Sequence, residues 1–293
     1  MTISALSNQR SLPISNPKAP SKQAEAPAGG DQFQLGNNEP AAPKKWTVLL
    51  WSASDNNLYK FMQKDIDECE QIGSTPGMNV VVQTDHGPLF GTAKRYLLTQ
   101  DTRPGIHSPV VGKPSSNNTG DPAQLSEFIQ WGMQKYPAEN YALIISDHGG
   151  GWQGACSDDH SKSWMTLPML EQGLSDAREK TGRKLDVLGF DACLMASAEV
   201  AEQLKNEATY QVGSQETEGG AGWQYNRVLS KDTLASTDQR IRTRLDFTPK
   251  EFAQNIVTMA QGHQGDLATM TAFDTSKIGT LTNSVKNFAE AIV

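Results

Sequence analysis

The sequence predicts an α/β domain in which a doubly wound, mostly parallel sheet is flanked by helices. Short, continuous runs of apolar and β-branched residues recur along the chain, as in strands that are buried on both faces. Segments with helical spacing of apolar residues separate these runs, and strand–helix–strand units of this kind form right-handed crossovers. Polar or glycine-rich stretches follow two of the runs, at the strand ends where such sheets carry their chemistry.

The strands are predicted from apolar runs that stop at turn-forming residues. The run 46–51 (WTVLLW) stops at a Ser/Asp/Asn cluster, and the run 141–145 (YALII) stops shortly before three glycines. Residues 89–112 have the pattern of a hairpin-like excursion from the main sheet. In order, the predicted strands are 46–51, 79–83, 95–98, 141–145, 185–190, 210–214 and 268–273.

The helices are predicted from apolar periodicity and from capping residues. Apolar side chains recur on one face of 58–72. Asp121 followed by Pro122 is a typical helix start, and Gly182 is a typical helix end. We also expect a helix to begin at Cys193. In order, the predicted helices are 58–72, 122–136, 167–180, 193–207, 249–261 and 278–293.

Composition divides the chain and excludes several classes of protein. Residues 1–45 are rich in Ser, Pro, Ala and Gly, so we expect a disordered tail followed by one domain over 46–293. A net charge of −7 without a basic stripe argues against a nucleic-acid partner. The sequence shows neither a membrane-spanning run nor a signal-peptide core, so we expect a cytoplasmic protein or one exported by a signal-less route. Three cysteines argue against a disulfide scaffold.

Cys193 is the candidate nucleophile. It follows the predicted strand 185–190. A helix beginning there would present free backbone N–H groups and the positive end of its dipole to the sulfur, which favours the thiolate. A buried structural cysteine is the alternative interpretation.

His148 is the candidate general base, because it lies where the strand 141–145 gives way to three glycines. Its imidazole could take the thiol proton, and the N–H groups of Gly149 and Cys193 could bind an oxyanion. His86, in a second Asp-His-Gly segment, is a competing base, and an incidental histidine in a glycine-rich loop is the other alternative. Two neighbouring strand ends would bring His148 and Cys193 together.

Five segments resemble the clostripain family of cysteine peptidases, which belongs to the caspase, gingipain and legumain group. They are WTVLLWSASDNNL, TGDPAQLSEFIQW, YALIISDHGGGW, LDVLGFDACLMASAEVAEQL and VGSQETEGGAGWQY. The resemblance covers about residues 46–290. It implies a caspase-like sheet, catalytic roles for His148 and Cys193, and cleavage of polypeptides after Arg or Lys through an acyl-enzyme. Larger relatives carry further C-terminal sequence, so it also implies a domain shortened at that end.

Selectivity for a basic side chain requires a carboxylate in the substrate pocket. Asp191 matches the family position for this acid, and an extended strand would direct it to the same side as Cys193. Glu216 or Glu218, after the next strand, could supply a second carboxylate. The alternatives are that Asp191 caps the expected helix and that the two glutamates lie in a solvated loop.

Some relatives are activated by self-cleavage between the histidine and the cysteine. The corresponding segment is 153–184, and Lys162 is the best candidate by residue type and expected exposure. Arg178, Lys180, Arg183 and Lys184 are alternatives nearer to helical structure.

The Cys/His chemistry requires no metal, although calcium dependence in parts of the family makes Ca²⁺ a candidate cofactor. The pair Asp158 and Asp159 and the turn 55–57 (DNN) offer oxygen ligands without EF-hand spacing, and solvated acidic turns are the alternative.

Two further hypotheses compete with the peptidase. A zinc site would use His148, Cys156, His160 and Cys193, but these residues lack compact ligand spacing. A non-catalytic caspase-like module that binds a protein partner is the other hypothesis, and the intact Cys193 and His148 argue against it.

Overall fold

A computed structural model describes residues 43–85, 87, 92–230, 247–264 and 269–292 of the chain. Residues 1–42 of the expected tail, and the competing base His86, lie outside the described residues. The first strand begins at Lys44, two residues before the boundary predicted from composition.

Within the described residues, eight strands form the main sheet. They are β1 (Lys44–Ala53), β2 (Met78–Asp85), β3 (Lys94–Leu97), β4 (Val110–Gly112), β5 (Ala138–Ser146), β8 (Leu185–Asp191), β9 (Ala208–Ser214) and β10 (Met270–Asp274). Their order across the sheet is β10-β9-β8-β5-β1-β2-β3-β4. The five strands from β9 to β2 pair in parallel, whereas β10, β3 and β4 are antiparallel to their neighbours. This is the predicted mostly parallel sheet, with the predicted excursion at one edge.

Helices cover both faces of the sheet, which confirms the doubly wound prediction. They are α1 (Tyr59–Ile72), α2 (Pro122–Lys135), α3 (Leu167–Thr181), α4 (Ala198–Gln203), α5 (Tyr225–Val228), α6 (Pro249–Gln264) and α7 (Thr275–Ala291). Side chains alternate between the two faces along β1. Val48 and Leu50 pack in the core with Ile66 of α1, and Leu49 and Trp51 pack in the opposite core with Phe128 of α2.

Two details differ from the sequence predictions. The polar stretch 153–165 contains a small hairpin formed by β6 (Ala155–Asp158) and β7 (Ser163–Met165). The helix expected at Cys193 begins only at Ala198, where the Ser197 side chain accepts the N–H of Val200 and caps it. None of the described helices combines the length and the apolar character that crossing a membrane would take.

Candidate active site

The register of β5 and β8 places His148 and Cys193 at one edge of the sheet. Ser146 and Asp191 are paired residues at the carboxyl ends of the two strands, and the N–H of Asp147 donates to the Asp191 carbonyl over 3.3 Å. His148 and Cys193 each follow two residues later. Both line one cavity of about 160 Å³, which is also lined by Asp191, Glu218, Gly219, Gly220 and Gly222.

Cys193 lies in a tight turn and is half-buried. The next residue, Leu194, has φ +66°, a left-handed conformation that is uncommon for a residue with a side chain. Its N–H donates to the Glu216 carbonyl over 3.2 Å, which ties the turn to the segment after β9. The sulfur meets the N–H of Glu218 at 3.3 Å, and the Glu218 carbonyl lies 3.8 Å from it. The backbone donor that contacts the sulfur therefore comes from this segment and not from a helix N-terminus, as the sequence had suggested.

Asn57 orients the ring of His148. The His148 Nε2 lies 2.7 Å from the Asn57 Oδ1. An amide oxygen only accepts hydrogen bonds, so Nε2 carries the proton and Nδ1 is left as the basic nitrogen. The sequence of 55–57 predicts a turn, and nothing in a lone Asn-Asn pair distinguishes a turn from a support for a histidine.

The glycine after His148 permits the histidine loop to pack against the cysteine turn. A Cβ at Gly149 would lie 2.4 Å from the Cys193 carbonyl oxygen, so a side chain would force the two segments apart. Residues 149 and 155 form a β-bridge whose bonds run from Gly150 N to Gly154 O and from Cys156 N to His148 O. The N–H of Gly149 takes part in neither bond, as an oxyanion donor requires.

Asp147, which precedes the histidine, is buried under the same segment. Its carboxylate accepts from Asn56 Nδ2 over 2.6 Å and from the N–H of Ser157. Burial raises the pKa of Asp147 well above its usual range. Successive asparagines after β1 thus hold both Asp147 and His148.

Asp191 and Glu218 form the acidic part of the cavity. The Asp191 Oδ2 accepts from the Tyr225 hydroxyl at 2.8 Å and from the Trp223 N–H at 3.2 Å. The Glu218 Oε2 accepts from Trp223 Nε1 at 3.0 Å. Burial, reinforced by the charge of Asp191, raises the pKa of Glu218 to about 10. The Glu218 carboxyl is therefore protonated at neutral pH while no cation is present.

Asp65 of α1 adds a third buried carboxyl that the sequence argument missed. A Cβ on Gly222, whose φ is +64°, would lie 2.8 Å from an Asp65 oxygen and 3.0 Å from an Asp191 oxygen, so the two carboxyls meet at this glycine. Burial, followed by the Asp191 charge, raises the pKa of Asp65. A signal was present: Asp65 lies three residues after Met62 and four before Cys69, on the apolar face of the helix.

Two other predicted residues lie outside the cavity lining. Glu216 is exposed and does not line the cavity. Of the three predicted acids, Asp191 and Glu218 line the cavity together with Cys193. Lys162 is exposed in the turn between β6 and β7, with φ +51°.

The structure brings together a set of possible metal ligands that differs from the sets suggested by the sequence. Among the described residues, the carboxylate, thiol and imidazole groups close enough to share an ion belong to Asp55, Asp85 and Asp158. The four residues of the zinc hypothesis therefore do not lie close enough together to share an ion. They are His148, Cys156, His160 and Cys193. Asp159, the neighbour of Asp158, is exposed.

A parallel sheet whose adjacent strand ends carry a histidine and a cysteine defines the class of caspase-like cysteine peptidases. The model of the clostripain family, peptidase family C11, matches residues 50–293, and the chain belongs to this family. The clostripain of Hathewaya histolytica is 28% identical over 222 residues, which cover 64% of this chain and 42% of that protein. The chain thus spans less than half the length of this curated relative.

Solved structures show the same fold. A secreted C11 cysteine protease from Bacteroides thetaiotaomicron, in complex with an irreversible peptide inhibitor, is 25% identical, with a TM-score of 0.63 over 81% of this chain and 68% of that chain. An inactive zymogen C11 protease from Parabacteroides distasonis is 23% identical, with a TM-score of 0.64 over 82% of this chain and 64% of that chain. The caspase-like α/β fold expected from the sequence is confirmed.

Proposed function

We propose that the chain is a cysteine endopeptidase that hydrolyses peptide bonds after Arg or Lys, with Cys193 as nucleophile and His148 as general base. The observation that carries this proposal is the single cavity lined by Cys193, His148, Asp191 and Glu218. Membership of the clostripain family supports the reaction class. The acidic lining supports selectivity for a cationic side chain.

The proposed reaction gives each of these groups one role. His148 Nδ1 takes the proton of the Cys193 thiol, while Asn57 holds the ring through Nε2. The thiolate attacks the substrate carbonyl carbon, and the N–H groups of Gly149 and Cys193 stabilise the oxyanion. The imidazolium then protonates the leaving amine, which leaves a thioester. Water activated by His148 hydrolyses this acyl-enzyme and regenerates the thiol.

The acidic lining selects the residue before the cleaved bond. A guanidinium or ammonium group that enters the cavity meets Asp191 and Glu218, whose oxygens are already held by Trp223 and Tyr225. The incoming positive charge favours the ionised form of Glu218, so the proton held in the empty pocket leaves as the substrate binds.

Hydrolysis of an arginyl-amide reporter tests the proposal. We expect Cys193→Ala and His148→Ala each to reduce kcat/KM by at least about 1,000-fold, because each removes a reacting group. His107→Ala, a change at an exposed histidine, is the matched control and should leave turnover intact. Turnover that survives either dyad substitution contradicts the mechanism. Failure of a thiol-reactive arginyl peptide to label Cys193 would instead favour the non-catalytic binding module.

We also propose that the enzyme cleaves itself after Lys162. The turn between β6 and β7 exposes this lysine between the histidine and the cysteine in sequence. Purified active protein should give two fragments on a denaturing gel, whereas Lys162→Ala and Cys193→Ala should each give one band. Lys180→Ala, a change on α3, is the control and should leave cleavage unchanged. Equal fragmentation of the Cys193→Ala protein would exclude self-cleavage.

A further inference from the structure

A concave, mostly apolar surface lies beside the loop that carries His148. We call this surface the tryptophan concavity. It has a volume of about 680 Å³ and is lined by Trp152, Gln153, Trp164, Thr166 and Pro168. None of these residues lines the cavity that contains Cys193. The concavity is therefore a separate surface near the proposed dyad.

Trp152 is exposed to an extent that is unusual for a side chain of its size. The residue is 68% exposed, although tryptophans are on average highly buried in folded proteins. Trp164, which is half-buried, adds a second ring to the same surface. Contiguous exposed apolar surface of this kind is typical of a binding site.

The ring of Trp164 is fixed by the histidine loop. Its Nε1 donates to the Gln153 carbonyl oxygen over 2.9 Å. A Cβ on Gly150 would lie 3.4 Å from the Trp164 ring, so the ring packs against the glycine run. At the other end of the concavity, Thr166 caps α3 and Pro168 lies in the first turn of that helix. The concavity is thus formed before a ligand binds.

The glycine run also ties the concavity to the turn that contains Cys193. A Cβ on Gly151 would lie 3.2 Å from the Leu194 carbonyl oxygen. Trp152 is the next residue along the chain, so it follows the point where the histidine loop touches the cysteine turn.

The strand order places the concavity on the side of Cys193 from which the leaving group departs. Strands β9, β8 and β5 are consecutive in the sheet. Glu218, after β9, contacts the Cys193 sulfur from one side, whereas His148 and Trp152 follow β5 on the other. In the proposed reaction His148 protonates the leaving amine. The chain after the cleaved bond therefore passes the loop that carries Trp152.

The acidic cavity and the tryptophan concavity lie on opposite faces of the sheet. Met62 of α1 lines the cavity, and Ile66 of the same helix packs with Val48 on one face. The concavity borders α3, whose Leu170 packs with Leu49 on the opposite face. Successive side chains of an extended peptide point in opposite directions. When the residue before the cleaved bond enters the cavity, the next residue therefore points toward the concavity.

We propose that the tryptophan concavity binds a large apolar side chain of the substrate residue that directly follows the cleaved bond. A Phe or Leu side chain loses contact with water when it packs against the two rings, whereas a small polar side chain gains little there. This inference rests on the proposed peptidase function. It adds to the selectivity for Arg or Lys a second selectivity, on the leaving side of the bond.

Three peptides and one ester measure this preference. Each peptide contains a single Arg, which is followed by Phe-Ser, by Ser-Ser or by Ser-Phe. An acyl-arginine methyl ester has no residue after the scissile bond and reports the proposed peptidase activity alone. We expect kcat/KM for the Phe-Ser peptide to exceed that for the other two by at least about five-fold.

Trp152→Ala should remove this preference and leave hydrolysis of the ester and of the Ser-Ser peptide unchanged. Phe288→Ala, the same truncation at an exposed ring on α7, is the matched control and should alter none of these rates. Equal losses for all the peptides would give Trp152 a structural role and overturn the subsite. A preference for Phe at the second position would overturn the assigned register.

Binding to the Cys193→Ala protein separates this inference from the proposed function. In calorimetry the Phe-Ser peptide should bind at least several-fold more tightly than the Ser-Ser peptide, and Trp152→Ala should remove the difference. Thermal unfolding should give the same Tm with and without Trp152→Ala, because the ring is exposed. A protein with intact Cys193 that does not hydrolyse the ester contradicts the peptidase, and this binding comparison then decides the subsite alone. Equal affinities for the two peptides overturn the inference in either case.

Discussion

Two groups of buried carboxyls lie near His148 and Cys193, and they differ in what surrounds them. In the cavity beside Cys193, on the β8 side, Tyr225 and Trp223 donate hydrogen bonds to Asp191 and Glu218. Three glycines line the same cavity. The second group, on the β1 and β2 side, consists of Asp55, Asp85 and Asp158. It is held by backbone N–H groups and His160, and its members are almost completely buried.

The exposure of a buried group of carboxyls to solvent determines which kind of cation can reach it. In both places burial and neighbouring charges raise a carboxyl pKa, that of Glu218 to about 10 and that of Asp85 to about 6. A positive charge from outside would therefore stabilise the ionised carboxylates at each site. The cavity beside Cys193 is lined by glycines, whereas Asp55, Asp85 and Asp158 are almost completely buried.

The largest expected effect is a loss of activity on a cationic substrate. It should follow substitution of Asp191 but not of Asp85. Asp191→Asn should lower kcat/KM for an arginyl reporter by about 100- to 1,000-fold, because a buried cation then loses its charged partner. An uncharged citrullyl reporter should be affected much less. Asp85→Asn should leave the arginyl-to-citrullyl ratio unchanged, because Asp85 does not line the cavity. If Asp85→Asn changed the arginyl-to-citrullyl ratio as much as Asp191→Asn does, the division of roles would be wrong.

A smaller effect concerns proton release by Glu218. Its pKa of about 10 in the empty pocket means that a bound cation expels a proton at neutral pH. The affinity of the Cys193→Ala protein for an arginyl peptide should therefore rise with pH between 6 and 9, by at most about ten-fold per pH unit. Calorimetry in buffers of different ionisation enthalpy should detect up to about one released proton.

Glu218→Gln is the matched variant for this measurement. It should abolish the proton release and weaken binding at pH 8 by about ten-fold. Proton release of the same size in the Glu218→Gln protein would assign the proton to another group and would remove Glu218 from the pocket chemistry.

A third effect is on the free energy of unfolding and concerns Asp85 in the absence of added cations. Its pKa rises from 3.8 in the unfolded chain to about 6 in the folded protein. The folded state therefore binds the proton more tightly, and this contribution is present below pH 4 and lost as the pH rises to about 6. With a chelator, Asp85→Asn should raise the free energy of unfolding at pH 8, relative to pH 4.5, by at most about 3 kcal/mol.

Urea unfolding of Cys193→Ala proteins at the two pH values measures this difference. Asp159→Asn, at an exposed position, should show none of it. An Asp85→Asn variant that is less stable than its parent at pH 8 with chelator would contradict the destabilisation assigned to the buried Asp85 carboxylate.

The sequence predicted the sheet and the proximity of His148 to Cys193 because both depend on local patterns. Apolar runs marked the strands, and His148 and Cys193 follow the ends of two of them by similar distances. Once β5 and β8 are neighbours, the pairing of Ser146 with Asp191 brings the two side chains to one edge.

Other features depend on contacts between distant segments and could not be predicted in this way. The left-handed Leu194, which delays the helix until Ala198, is tied to the Glu216 carbonyl. Asp65 becomes part of the acidic group only where it meets Asp191 at Gly222. Asp85 gains its significance from Asp55 and Asp158, which are 30 and 73 residues away in sequence.

Glu218 has two separate contacts in this region. Its backbone N–H contacts the Cys193 sulfur, and its side chain lines the cavity. Redesign of this scaffold toward neutral or acidic residues before the cleaved bond is therefore constrained. Transplanting a whole loop from another protease would displace the backbone N–H that contacts the sulfur of the proposed nucleophile. Exchanges confined to side-chain termini, such as carboxylate to amide, would leave that contact in place and are the safer way to new selectivity.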